Sequence, residues 1–276
     1  MAANQRDPWR TRASPCTASP AQRAAQSAQH AQHAQHAQHA PDTDRLRERL
    51  VQGVAAIGLD LDAGAADRLL AYRVLLERWG KVFNLTAVRD PLAMITTHLL
   101  DCLAILPVLR GLSPGDGRQS VVDVGSGAGL PGLVLAVVQP DWTFDLVEPV
   151  GKKAAFLRQC QVELGLSNVR VHERRIEALP LTEIAQPPGI IVCRAFASLA
   201  NFVDGAGHLA GASTWLVAMK AARVDDEVQE FTARQHREGR ADPVVARTVP
   251  VDVPGLDAMR TLVIMKTTGS DERPQD

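Results

Sequence analysis

The segment VVDVGSGAGLPG, residues 121–132, constrains this chain more than any other, because an apolar run passes directly into a glycine turn and then into a helical pattern. Gly125, Gly127 and Gly129 can adopt backbone angles closed to residues with a Cβ, and their missing side chains let a ligand lie against the main chain. Glu148 ends the next apolar run, about 20 residues on, where an acid can reach ribose hydroxyls in nucleoside-binding α/β folds. A Walker loop would close on Gly-Lys-Ser/Thr, whereas this one closes on Leu130-Pro131-Gly132. Gly127, Gly129 and Gly132 do satisfy GxGxxG, so a nicotinamide-dependent oxidoreductase is the alternative. Asp123 favours a different ligand, since a pyrophosphate docking at this strand tip would meet a carboxylate of its own sign. A sulfonium cofactor with an amino group and no phosphates suits that acid.

The surrounding pattern predicts an α/β fold. Apolar runs at 121–124, 144–147, 169–171, 190–193 and 215–219 alternate with helical segments at 132–138, 152–164 and 199–209, the signature of crossover units around a parallel sheet. Runs at 244–249 and 262–266 add two strands, giving seven in a doubly wound domain over 113–268. Before it, residues 42–112 read as a small helical module. Leu46, Leu50, Val54 and Ile57 form one stripe ending at Gly58, and Leu61, Leu69, Leu75, Leu76 and Trp79 form a second ending at Gly80. Asp90-Pro91 opens a third helix, as cap and first helical residue. Residues 1–41, with the AQHAQHAQHAQHA repeat, offer little apolar surface to offset ordering and read as a disordered tail, as do 269–276. The repeated His30, His33, His36 and His39 read as a solvated tract and not as a metal site, and the tail lacks the amphipathic face of a transit peptide.

Composition narrows the function classes. No stretch approaches the roughly 20 uninterrupted apolar residues of a spanning helix, and no secretory leader is visible. Cys16, Cys102, Cys160 and Cys193 form no CxxC pair, which points to neither disulfides nor zinc and fits reduced thiols in the cytoplasm; the protein is expected to be monomeric. The net charge of −1 gives no global pull toward nucleic acid, so any RNA contact needs a local basic patch. Lys152, Lys153 and Arg158, with Arg174, Arg175, Arg194 and Lys220, are candidates for such a rim beside the cofactor.

Beyond these patterns, DVGSGAGLPG followed by EPVGKKAAFLRQCQVELGLSNV, RRIEAL and CRAFASL resembles the RsmG (GidB) family in order and spacing, as does the upstream FNLTAVRDPLAMITTHLLDCL. The resemblance covers roughly residues 45–266. It implies a Rossmann-like methyltransferase fold, S-adenosylmethionine as donor, and N7 of a guanosine in 16S ribosomal RNA, free or in the small subunit, as acceptor. Carried onto matching positions, it puts Gly125 and Leu130 in the cofactor loop with Gly127, Glu148 on the ribose, Ile176 and Glu177 around the adenine, and Arg194 completing the site. Cys102 stands where the family commonly has serine, and Ala221 where glycine is common.

No catalytic residue is assigned. Guanine N7 carries an in-plane lone pair, so attack on a sulfonium methyl needs no deprotonation. Cys193 lacks the Pro-Cys setting of a methyltransferase nucleophile and reads as a buried strand residue. His98 and Asp101 share a helix face without an assigned role. A catalytically silent RNA-binding protein on the same fold is the remaining alternative.

Overall fold

A computed structural model describes residues 43–112, 118–184, 186–196, 198–221, 223–240 and 244–267. The expectations for the N-terminal tail, its histidines and Cys16, and for 269–276, lie outside these residues. Leu46–Asp276 forms one compact unit, which holds the sheet with its helices.

Helix α1 runs over 43–56, and α2 (Ala63–Phe83) starts at Asp62, whose side chain accepts from Ala65 N. The expected stop at Gly80 does not occur. Trp79 packs on Phe83 at 5.2 Å between ring centroids and on Phe156 at 5.5 Å, which carries the helix past the glycine. It ends at Asn84, left-handed at φ 51°, whose N–H reaches Gly80 O. Asp90 caps α3 (Pro91–Met94) through Ala93 N at 2.6 Å, as its Asp-Pro pair predicts. The helix then widens into a π-helical stretch, Ile95–Leu100, before α4 (Asp101–Leu103) and α5 (Leu106–Arg110). By length and composition Pro91–Arg110 could pass for a membrane span, which a search for uninterrupted apolar runs misses; 67% of its apolar window is buried inside the domain, as in a core helix.

The sheet contains β1 (Ser120–Val124), β2 (Thr143–Val147), β3 (Val169–His172), β4 (Ile190–Arg194), β5 (Trp215–Ala221), β6 (Val244–Val251) and β7 (Arg260–Lys266) in the order β3-β2-β1-β4-β5-β7-β6. The first five are parallel; β7 runs antiparallel between β5 and β6. Helices α6 (Gly132–Val138), α7 (Gly151–Glu163), α8 (Leu199–Ala206) and α9 (Asp225–Arg237) complete the crossovers. Alternation along each strand feeds two cores. Val121, Leu146, Val192, Val217 and Ile264 pack with the N-terminal helices, α6 and α7, whereas Val122, Ile191, Ala218 and Val263 pack with α8 and α9.

Candidate functional site

Reversal of strand order on either side of β1 opens a crevice at the carboxyl ends of β1 and β4, where ligands of open α/β sheets bind. The glycine loop fills its floor. Gly125 N and Ser126 N both donate to Val147 O, at 2.9 and 3.1 Å, tying the loop to the end of β2. Gly125 and Gly127 sit at φ +70° and +57°, in the left-handed region. A Cβ on Gly125 would meet nothing nearer than Phe196 at 3.8 Å, and one on Gly127 nothing nearer than Gly125 O at 3.7 Å. The loop is thus an open cradle that side chains would fill.

Beneath it lies Asp123, fully buried. Its Oδ2 accepts from Gly132 N at 3.0 Å, while Oδ1 has no hydrogen-bond partner. Burial pushes this carboxyl up to about 7, against the opposing pull of the Gly132 hydrogen bond and the Arg194 charge. An orphaned carboxylate oxygen under an open glycine cradle fits a ligand with a cationic, N–H-bearing end and no phosphate. Glu148, at the end of β2, accepts from Gly127 N at 2.8 Å and Val150 N at 2.9 Å, so it shapes the loop with its own backbone bonds and keeps lone pairs in reserve. Leu130 is buried where the loop enters α6, and Ile176 is buried in a 3₁₀ turn, Ile176–Ala178, against Gly205 of α8, with Glu177 exposed beside it.

Arg194 is the last residue of β4. It pairs with buried Asp101 at 3.1 Å and approaches Cys102 Sγ at 3.5 Å. The departure from serine therefore falls at a contact of Arg194. Ala195 follows at φ +55°, a conformation L residues rarely hold, and turns Phe196 over Gly125. The N-terminal helices reach the loop too, because Tyr72 donates its hydroxyl to Ala128 O at 2.6 Å. Neither contact has a counterpart in sequence spacing. Burial raises the Cys102 thiol to about 12 and takes Cys193 well above its usual value, so neither offers a thiolate nucleophile.

The basic residues do not form one band. Lys152 is exposed and Lys153 half-buried in the first turn of α7, whereas Arg158 pairs with Glu173 and Arg174 with Glu183. Arg175 is exposed. Lys220 pairs with Glu227 at 2.7 Å and donates to Phe196 O, on the face opposite Arg194.

A sheet ordered β3-β2-β1-β4-β5 and closed by an antiparallel β7, with this loop and acid, defines an S-adenosylmethionine-dependent methyltransferase. Residues 65–248 match the family described as rRNA small subunit methyltransferase G (GidB). The chain belongs to that family. A ribosomal RNA small subunit methyltransferase G of Azoarcus sp. is 44% identical over 79% of this chain and 94% of its own length. That of Ralstonia nicotianae is 45% identical over 79% and 94%. A solved methyltransferase of Aquifex aeolicus aligns at 20% identity and TM-score 0.48, covering 67% of this chain and 97% of that one.

Proposed function

We propose that the chain transfers the methyl group of S-adenosylmethionine to N7 of a guanosine in 16S ribosomal RNA, in the cytoplasm. The observation that carries the donor half is Asp123, a buried acid with one unpartnered oxygen beneath a glycine cradle. The acceptor half rests on relatives named for the small-subunit RNA. When bound, the cofactor supplies a methyl group made electrophilic by its sulfonium.

The chain's own residues bind and align. Gly125, Gly127 and Leu130 let the cofactor approach the main chain, Glu148 meets the ribose, Ile176 and Glu177 bracket the adenine, and Arg194 bounds the pocket. Lys152, Lys153, Arg158 and Lys220 are the candidates for RNA contact. The N7 lone pair lies in the base plane and is unprotonated at neutral pH, so no side chain has to remove a proton before transfer. Alignment of attacking nitrogen, methyl and sulfur is what remains, and orientation alone can supply about 7–11 kcal/mol. The base must also leave its stack to be presented.

Labelled S-adenosylmethionine, the full-length chain and small subunits lacking the modification test this directly. Nucleoside analysis should find the label in 7-methylguanosine; label in another nucleoside overturns the acceptor assignment.

A further inference from the structure

Asp101 and Arg260 form a charged cluster with Arg194 at the carboxyl end of β4. Arg194 closes β4 opposite Met219 of β5, and Arg260 opens β7 opposite Ala221 of the same strand. Register partners share a face, and Met219 and Ala221 are alternate residues, so both arginines project toward the N-terminal helices. Lys220, between them, projects the other way to Glu227. On the arginines' side Asp101, 2% exposed, stands at the start of α4 directly after the π-helical stretch, a type of irregularity frequent at functional sites. One carboxylate oxygen takes Arg194 Nη1 at 3.1 Å, and the other takes Arg260 Nε at 2.8 Å.

Two guanidiniums on one carboxylate leave an excess positive charge, and both arginine side chains keep about a quarter of their surface exposed, 23% and 25%. Because Arg260 engages Asp101 through Nε, the fork of its two Nη groups stays available, the geometry that grips a phosphate bidentately. Its strand stands three spacings from β1, about 14 Å, on the side of the crevice away from the glycine loop. We infer that Asp101 is a positioning residue that yokes Arg194 and Arg260 into an anion site for a backbone phosphate of the RNA beside the target nucleotide. The inference rests on the RNA methyltransferase reading and extends it to a substrate contact.

Binding of the full-length chain to unmodified small subunits, followed from 50 to 200 mM salt, tests it, with cofactor affinity measured alongside. Arg260→Gln should weaken RNA binding and reduce the slope of log K against log salt by about 0.7–0.9, the loss of one phosphate contact, with cofactor affinity unchanged. Asp101→Asn should raise the KM for RNA more than it lowers kcat, with partial recovery in Asp101→Glu, whereas simple loss of folded protein would lower the apparent kcat and leave KM unchanged. An unchanged slope in Arg260→Gln overturns the site, and weakened cofactor binding with intact RNA binding assigns the pair to the cofactor's carboxylate instead. Should the wild type bind RNA yet transfer no methyl group, the enzymatic reading falls while the slope still reports on the anion site.

Discussion

Gly127 and Gly132 share one loop but answer to different constraints. A Cβ on Gly132 would overlap Leu146 Cδ2 and lie 2.6 Å from Asp123 Oδ2, so Gly132→Ala should destabilise folding by about 1–3 kcal/mol in denaturant titration. Gly127→Ala meets open space at positive φ; it should fold with a loss of about 1 kcal/mol yet bind the cofactor at least roughly tenfold more weakly by calorimetry. Asp123 adds a pH signature. With its carboxyl raised to about 7, the empty site at pH 6 is protonated about ten to one, and a cationic ligand end favours the ionised form. Cofactor affinity should therefore rise from pH 5.5 to 7 and level off, while Asp123→Asn should be weaker and flat across that range. This acid was legible in sequence because its position at a strand tip before a glycine turn has few uses. Arg260 was not, because a strand's first residue carries no motif and meets Asp101 only through the tertiary fold.

At the scale of elements, all seven strands were legible as apolar runs, most plainly the inner parallel strands β1 and β4, whose two faces are both buried. Helix α9 is not among the helical segments that the pattern predicts. Its signals were present but thin: Val224, Val228 and Phe231 at helical spacing, acids in the first turn and bases in the last. The π-helical stretch leaves no pattern at all, because Ile95–Leu100 has ordinary helix-forming spacing and only packing reveals the wider turn. The link from α2 to the glycine loop is equally tertiary. Tyr72→Phe leaves Ala128 O without its partner and should cost about 1–2 kcal/mol of stability, read by urea unfolding. Cofactor affinity should fall with it, since the loop loses a tether; unchanged affinity would show that β2 alone holds the loop.

Across the whole molecule, the helices that precede the sheet share a core with one of its faces and send Tyr72 to the cofactor loop and Asp101 to the arginines. Both contacts run to the same end of the sheet, so cofactor binding and substrate binding are supported from one side. The chemistry asked of this arrangement is alignment without a base. His98 is the group that would reveal otherwise: it is buried, its Nε2 meets Thr86 Oγ1 at 2.7 Å, its Nδ1 has no partner, and burial with the Arg194 charge lowers its proton affinity. The decisive measurement is the single-turnover rate of 7-methylguanosine formation at saturating cofactor and RNA from pH 5.5 to 8.5. A rate that varies by less than about twofold is the predicted result, and a tenfold fall on the acid side, abolished in His98→Gln, would contradict alignment alone and establish a general base.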